Sequence, residues 1–217
     1  MDVLEGLGEP GQLDDQTTRD GDGRLDASAA PTRQPVDDAS YRRALARFAS
    51  GVTIATTRSD GIDHAMTASA FTSVSLRPPL VLVCVERIAR FHEAVLASGS
   101  WGVSVLPYDA YQVATWLATR GRPLGGQLEG ISIRRGVTGA ALLVDAIAML
   151  ECRTWAVHDG GDHSIVVGEV VAAEQVDARA DLPADPTADG HVPAPPPSPL
   201  VYFSGGYRTV TERATPE

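Results

Sequence analysis

The chain is dominated by short runs of β-branched and apolar residues separated by turn signals, and this pattern limits the folds open to it. Six runs predict strands: Val52–Thr57, Leu80–Val85, Trp101–Leu106, Ala148–Val157, Ile165–Ala173 and Leu200–Phe203. Helical spacing is confined to three short segments, at Tyr41–Phe48, Phe91–Ala97 and Ala110–Thr119. Strands of mixed length with few helices between them predict a mainly β fold with short helices. A small antiparallel barrel fits this pattern better than a doubly wound parallel sheet.

The length and apolar content of the chain allow one well-buried core. It has 217 residues, of which 43% are apolar. No run approaches the roughly 20 apolar residues that a membrane helix needs. The N-terminus is acidic and Gly-rich where a signal peptide would be basic and then apolar. We therefore expect a single-domain cytoplasmic protein with no membrane contact.

The formal net charge of −10 comes from two segments of the chain. Residues 1–38 contain ten acidic and three basic residues, and residues 177–191 contain four acidic residues and one arginine. The remaining residues are balanced in charge. Because these remaining residues are neutral overall, they offer no basic face that could bind the phosphates of a nucleic-acid strand. This argues against nucleic-acid binding.

Two segments lack the apolar content that a packed core requires. Residues 1–36 combine acidic residues, Gly and Pro, and predict a disordered acidic tail. A Pro-rich loop is predicted at about 177–198, which leaves a domain at 37–212 and a C-terminal tail at 213–217. Residues 6–11 match GxGxxG, but no strand precedes them and Pro10 lies inside the motif. We therefore do not interpret them as a dinucleotide site.

The cysteines and histidines do not form a metal-binding pattern. Cys84 and Cys152 each lie in an apolar run without a CxxC partner, so they predict core thiols rather than a disulfide or a zinc site. The segment from His158 to His163 contains two His and two Asp, and its two Gly predict a turn. A single turn rarely supplies the three tetrahedral ligands of a catalytic zinc, so we expect no metal.

The segment from His64 to Leu80 carries the strongest indication of a binding site. Its hydroxyl side chains alternate with small or apolar residues. Hydroxyls and backbone N–H groups can then line a shallow groove that admits a flat, phosphate-bearing aromatic ligand. An exposed edge strand is the alternative interpretation of the same pattern.

Several segments, in order and spacing, resemble the short-chain flavin reductases of two-component monooxygenases. They are Gly51-Val52-Thr53, the run from Met66 to Ser75, Pro78-Pro79-Leu80, Gly161-Asp162-His163 and Gly168-Glu169-Val170. The resemblance covers roughly Asp38 to Val210 and implies an FMN-binding split β-barrel that forms a homodimer with flavin near the subunit interface. It also implies an enzyme that reduces free FMN or FAD with NADH or NADPH. The reduced flavin would then be used by a partner monooxygenase or halogenase.

The same resemblance implies roles for individual residues. Thr67, Ala68 and Ser69, together with Ser73, Val74 and Ser75, would hold the flavin ring and ribityl chain, partly through backbone groups. His163 would lie by the flavin face and contact the nicotinamide cofactor, which makes it the expected catalytic residue. Tyr207 follows a Gly-rich turn and is expected either to flank the site or to contact the core or a second subunit.

This chain departs from the family pattern at two places. Where the family has a polar turn with Ser or Thr hydroxyls near the flavin phosphate, this chain reads Glu86–His92. Arg87 and Arg90 either replace those hydroxyls as charge-assisted donors or are solvated arginines at a helix start. Ala65 stands where the family prefers Gly, which slightly restricts the backbone.

A protein of another class remains compatible with these motifs. It is a flavin- or haem-binding split-barrel module that carries or senses its ligand without turning over nicotinamide. The histidine of the Gly161-Asp162-His163 turn favours the reductase.

Overall fold

The computed structural model of this chain describes residues 35–175 and 198–210. The acidic tail up to residue 34, with its GxGxxG match, the Pro-rich loop at 176–197 and the C-terminal tail lie outside these residues. Of the described residues, those up to Tyr41 and those from Arg42 onward fall into different units. In the described ranges, no helix is both long and apolar enough to span a membrane.

Three short α-helices form near the positions predicted by their apolar spacing. They are α1 (Asp38–Leu45), α2 (Arg90–Ser98) and α3 (Tyr111–Ala118). Asp37 caps α1, because its carboxylate accepts a hydrogen bond from the Ser40 amide at 2.9 Å. α2 ends at Gly99, whose positive φ of 65° lets its N–H bond the carbonyl of Val95.

The described residues form twelve strands, all of them paired antiparallel, which confirms the mainly β fold. They are β1 (Ser50–Gly51), β2 (Thr53–Ser59), β3 (Ile62–Ala68), β4 (Phe71–Leu76), β5 (Pro79–Glu86), β6 (Ser100–Val105), β7 (Ile133–Arg135), β8 (Ala141–Leu143), β9 (Ala148–Gly160), β10 (His163–Gln175), β11 (Leu200–Phe203) and β12 (Gly206–Thr209). The six predicted strands correspond to β2, β5, β6, β9, β10 and β11. The remaining strands are too short or too polar for periodicity to predict.

The main sheet has seven strands in the order β3-β2-β6-β9-β10-β5-β4. Its two edge strands, β3 and β4, are consecutive in the chain and are joined only by Ser69 and Ala70. Three peptide links span at most about 11 Å, so the sheet must curl until its edges approach one another at this connection. The result is an open barrel, as the split-barrel prediction requires. The hydroxyl-rich segment therefore crosses from one edge of the sheet to the other.

A smaller sheet, β1-β11-β12, packs at one end of the barrel. Backbone hydrogen bonds join it to the main sheet: Val52 donates to Leu200, Leu200 to Leu106, and Leu106 to Val52. These three residues are almost fully buried, together with Leu117 and Leu142 of the same apolar cluster. A second cluster fills the barrel around Trp101, Val83 and Val166.

Gly168 is required by the packing of Trp101 inside the barrel. A Cβ at Gly168 would lie 2.5 Å from Cζ2 of Trp101 and 2.9 Å from Cβ of Cys152. Trp101 is fully buried, so the indole has no room to retreat. The glycine of the Gly168-Glu169-Val170 motif is thus explained by its close packing against Trp101.

Glu151 on β9 is a buried carboxylate that holds the loop between β7 and β8. Its oxygens accept hydrogen bonds from the amides of Val137 and Thr138, at 3.0 and 2.7 Å, and from the Thr138 hydroxyl at 2.6 Å. Burial alone would raise the pKa of Glu151, but the bonds from Thr138 and Val137 outweigh burial and lower it. The ionised carboxylate therefore stabilises the fold.

Glu151→Gln should lower the free energy of unfolding at neutral pH by roughly 1–3 kcal/mol, because an amide NH₂ cannot accept from these donors. The folded-state pKa is depressed, so this stabilisation is present above the ordinary carboxyl pKa of 4.5 and is lost as pH falls through the folded value. Denaturant unfolding at pH 7 and at pH 3–4 should show the difference between wild type and variant shrinking in acid. A difference that stays constant would contradict an ionised Glu151.

Candidate functional site

A pocket of about 440 Å³ opens between β3, β5, the start of α2 and the loop that follows α3. Its size lies in the range of small-molecule sites. The lining residues come from four parts of the chain, and they are His64–Thr67, Cys84, Glu86, Ile88–Phe91, Leu117–Arg122, Leu124, Gln127 and His163. Part of the hydroxyl-rich segment and the His163 turn therefore meet at one cavity.

The loop after α3 is fastened to the outer edge of β3 by side chains. Gln127 accepts a hydrogen bond from the Ala65 amide at 3.2 Å and donates to the Asp63 carbonyl at 2.8 Å. The Ala65 carbonyl accepts from Nη2 of Arg122. Gln127 is only 4% exposed. These contacts take the place of a further strand at this edge and make one wall of the pocket.

Helix α3 supports the same wall. The Thr67 hydroxyl on β3 donates to the Ala114 carbonyl at 2.7 Å, and Nε1 of Trp116 donates to the Gln127 carbonyl at 2.9 Å. The Thr67 hydroxyl is thus engaged within the protein. The Thr67 hydroxyl can therefore still accept a hydrogen bond from a ligand, but its proton is already used.

The charged side chains of the lining favour an anionic ligand. The lining contains three arginines, Arg90, Arg120 and Arg122, but a single carboxylate, that of Glu86. Arg120 is paired with Glu86 at 2.9 Å. Arg90 instead donates to the backbone carbonyl of Arg122 at 2.5 Å. The pocket is therefore locally positive, although the body of the chain is neutral.

Two polar groups of the lining are buried without a hydrogen-bond partner, namely Nδ1 of His64 and Nε of Arg122. The pKa of His64 is lowered by burial and then by the charge of Arg90, so its imidazole is neutral at pH 7. The pKa of Arg122 is also lowered by burial and by Arg90, but an arginine remains charged. Buried polar groups without partners are rare, and these two belong to residues that line the pocket.

The chain reversal between β9 and β10 is tighter than the sequence suggested. It is confined to Gly161 and Asp162, with φ of 80° at Gly161, while His158 and Asp159 belong to β9. Arg87 fixes this turn from β5: its amide donates to the Asp162 carbonyl at 3.0 Å. Its guanidinium pairs with Asp159 at 3.0 Å and donates to the His163 carbonyl at 3.3 Å.

The imidazole of His163 is oriented by its neighbour in the turn. Nδ1 of His163 lies 2.7 Å from the Asp162 carboxylate, and this bond is the main reason that the pKa of Asp162 is lowered. A carboxylate only accepts, so Nδ1 carries the proton, and Nε2 of neutral His163 is left as an acceptor. The His163 side chain is 41% exposed and lines the pocket.

Three of the predicted site residues line the pocket, namely Thr67, Arg90 and His163. The predicted residues outside its lining are Ala68, Ser69, Ser73, Val74, Ser75, Arg87 and Tyr207. Ala68 is buried, whereas Ser69, Ser73 and Val74 are exposed on the connection to β4 or on β4 itself. Tyr207 packs against the core cluster that contains Leu117, and burial raises its pKa.

Sequence reasoning did not identify His64, Arg122 and Gln127 as site residues. The loop that carries Arg122 and Gln127 has no helical or strand periodicity, and its partners on β3 lie about 60 positions away in the chain. The loop does contain glycines at 121, 126 and 130, which have positive φ in the structure. Such glycines indicate an irregular loop but do not indicate what it binds.

The two cysteines are free thiols. Cys152 is buried, and burial followed by the charge of Glu151 raises its pKa to about 12. Cys84 lines the pocket, and burial raises its pKa as well, so neither is an activated nucleophile. Across the described ranges, no three His, Cys, Asp or Glu side chains are grouped to hold a metal ion.

Comparison with known proteins gives one family. The model of the Flavin reductase like domain matches residues 45–211, which includes every residue that lines the pocket. An NADH-dependent FAD reductase of Streptomyces globisporus is 39% identical over 158 residues, 72% of this chain and 86% of that protein. The reductase component of a 4-hydroxyphenylacetate 3-monooxygenase from Thermus thermophilus is 38% identical over 169 residues, covering 78% and 94% of the two chains.

A solved structure shares the fold. BorF, the flavin reductase component of a bacterial two-component tryptophan halogenase, superposes with a TM-score of 0.69 at 43% sequence identity. The match covers 82% of this chain and 100% of BorF. The open barrel described above is therefore the architecture of known flavin reductases.

Proposed function

This chain belongs to the flavin reductase like domain family, and from that premise we propose that it reduces free FMN or FAD with NADH or NADPH. The reduced flavin serves a separate monooxygenase or halogenase. The observation that carries this proposal is the match over 45–211, which encloses a pocket with His163 at one side and a cluster of arginines at another. The relatives named above are reductases of both kinds of oxygenase system.

The pocket fits the chemical groups of a flavin. The excess of arginine over carboxylate suits a phosphate-bearing ligand. His64 and Arg122 also line the pocket, and each has a buried polar atom, Nδ1 and Nε, without a partner among the described residues. Arg90 stands at the start of α2, where the helix dipole also favours an anion. We assign Arg90 to the flavin phosphate. Arg87 is engaged with the turn and acts through it.

The wall for the flavin ring begins at Thr67. Ala68, Ser69, Ser73, Val74 and Ser75 follow Thr67 along the connection to β4, and we retain them as contacts of the ring and ribityl chain. The Ser75 hydroxyl accepts from the Arg77 amide at 3.2 Å, and the Ala68 carbonyl accepts from the Thr53 hydroxyl at 2.9 Å. Both residues are thus held in place before a ligand arrives.

Bound flavin supplies the redox chemistry, since it accepts a hydride from the nicotinamide. The protein contributes binding and orientation. Asp162 holds the proton on Nδ1 of His163, which leaves Nε2 to accept a hydrogen bond from the carboxamide of the nicotinamide. Arg87 fixes the backbone on which His163 stands. No nucleophile or strong acid is needed for this reaction.

The first prediction concerns activity. Purified protein with NADH or NADPH and excess FMN or FAD should oxidise the nicotinamide, measured as loss of its near-ultraviolet absorbance. The physical reason is the joint presence of a phosphate-compatible pocket and an oriented imidazole. Flavin binding without oxidation in any of the four pairs would support the binding module instead.

His163→Ala should lower kcat/KM for the nicotinamide by about 2- to 15-fold, because one hydrogen bond to a neutral partner contributes roughly 0.5–1.5 kcal/mol. Flavin affinity should change by less than about 3-fold. His158→Ala is the matched control, since His158 is exposed on β9 and does not line the pocket. Equal and negligible effects of both variants would remove His163 from the site, and loss of flavin binding would give it a different role.

We also propose that the chain is a homodimer in which a second copy covers the outer face of the barrel. Val74 on β4 and Trp155 on β9 are the unpaired residues of two β-bulges. The two bulges lie at the same level of the sheet, because the residues beside them are connected across it by the pairs Ser73–Val81, Val81–Gly168 and Gly168–Thr154. Val74 is 50% and Trp155 58% exposed. Exposed apolar residues in one row favour a protein contact.

Trp155→Asp should convert the dimer to a monomer, because a buried carboxylate without a partner opposes association. Size-exclusion chromatography with light scattering measures the mass directly. Val137→Asp is the control, since Val137 is 75% exposed in a loop outside this row. A monomeric wild type, or a Trp155→Asp protein with wild-type mass, would contradict the dimer.

We place the reaction in the cytoplasm. Cys84 and Cys152 are free thiols, as is usual for proteins of reducing compartments. The nicotinamide cofactors that donate the hydride are supplied by cytoplasmic metabolism.

A further inference from the structure

The two arginines Arg90 and Arg122 lie side by side without an acidic partner. Arg90 donates to the Arg122 carbonyl at 2.5 Å, and its charge is close enough to lower the pKa of Arg122. Among residues 35–175 and 198–210, no ion pair includes either guanidinium. Like charges placed together at a cavity oppose folding unless an anion joins them.

Arg120 provides the internal comparison. It belongs to the same loop as Arg122 and lines the same pocket, but both oxygens of Glu86 accept from its Nη2 at 2.9 Å. Its side chain is also 78% exposed. Among the arginines of the pocket lining, Arg90 and Arg122 are therefore the two that no carboxylate of the described residues neutralises.

The guanidinium of Arg122 is rigidly held. Nη1 donates to the Thr119 carbonyl at 2.8 Å, and Nη2 donates to the Ala65 carbonyl and, at 3.4 Å, to Oε1 of Gln127. Nε is buried and has no partner within the protein. Arg122 is thus a preorganised cation with two N–H donors that no group of the described residues accepts, one on Nε and one on Nη1. Preorganised cations bind anions at low entropic cost.

The two cations come from different elements of the pocket wall, the start of α2 and the loop after α3. Arg90 begins α2, whose N-cap residue, Ala89, provides no side-chain cap, so the helix N-terminus and Arg90 form one anion-binding group. Arg122 belongs to the loop fastened to β3, beside His64 with its buried, partnerless Nδ1. A diphosphate presents one phosphate to each of these two cations, whereas a monophosphate presents a single phosphate to both.

We propose that Arg122 is a specificity-determining residue that binds the second phosphate of a diphosphate, so that the pocket selects FAD over FMN. This inference rests on the proposed function, since it concerns the flavin of the same site. It goes further in naming which flavin is bound and which side chain discriminates.

The test is direct binding, measured by quenching of flavin fluorescence with riboflavin, FMN and FAD. Wild type should bind FAD more tightly than FMN by about 10-fold or more, because a charge-assisted hydrogen bond contributes roughly 1.5–3 kcal/mol. Arg122→Gln should raise the Kd of FAD by about 10-fold and that of FMN by less than about 3-fold. Riboflavin, which has no phosphate, should change by less than about 2-fold.

Arg120→Gln is the matched control and should leave the FAD-to-FMN ratio of Kd values unchanged, because Glu86 already neutralises Arg120. Arg122→Lys keeps the positive charge but lacks the planar guanidinium donors, and it serves as the test if Arg122→Gln does not fold. It should weaken the binding of FAD selectively, by a smaller factor than Arg122→Gln does. The ratio within one variant separates the proposal from damage to the loop, which would weaken all three flavins alike.

Three results would overturn the proposal: equal weakening of FMN and FAD, equal weakening of all three flavins, or unchanged flavin Kd values with a raised KM for NADPH. The last would assign Arg122 to the 2′-phosphate of the nicotinamide cofactor. Failure of the proposed function is a separate outcome, because absence of NADH or NADPH oxidation leaves the ratio of flavin Kd values measurable.

Discussion

The pocket depends on how the open edge of β3 is satisfied. An edge strand presents backbone N–H and C=O groups that must find partners, and here the groups of Ala65 are bonded by the side chains of Gln127 and Arg122. A neighbouring strand would have closed the barrel and left no cavity. Side chains from a loop satisfy the same groups while holding the loop away from the sheet. The same side-chain contacts thus satisfy the backbone hydrogen bonds of the edge strand and leave room for the pocket.

The second constraint is the two-residue connection between β3 and β4. Because Ser69 and Ala70 bring the two sheet edges together at one point, the barrel can open only on either side of them. Trp101 fills the interior against Gly168, so the cavity cannot extend into the barrel. The cavity is therefore confined to the wall, between β3, α2 and the loop after α3. Only the first part of the hydroxyl-rich segment, His64–Thr67, lies at this place.

Much of the fold could be predicted from local patterns. The runs from Leu80 to Val85 and from Leu200 to Phe203 are strongly β-branched or apolar and became β5 and β11 with little change of boundary. β7 and β8 have three residues each, and their pairing depends on the carboxylate of Glu151, which is remote in sequence. No local pattern contains that information.

The site was predictable to the extent that its residues belong to short motifs. His163 lies in a compact Gly-Asp-His motif, and Arg90 lies at a recognisable helix start. Arg122 and Gln127 act through partners on β3 that only the folded chain brings near. Arg87 was predicted to be either a ligand donor or a solvated arginine, and in the structure its guanidinium pairs with Asp159, more than 70 residues away. Whether an arginine faces a ligand is decided by the nearest carboxylate, which sequence alone does not locate.

The two sides of the pocket are prepared in different ways, and this follows from what hydride transfer needs. On one side, guanidinium groups are fixed by backbone carbonyls, so binding an anion requires little rearrangement. On the other, His163 is 41% exposed and oriented chiefly by the exposed carboxylate of Asp162. In the proposed function, a flavin bound by its charge at the rigid side would keep its position while nicotinamide cofactors exchange at the accessible side. Hydride transfer requires two planar rings to meet in one geometry, and the rigid charged side and the oriented acceptor of His163 would each constrain one of these rings.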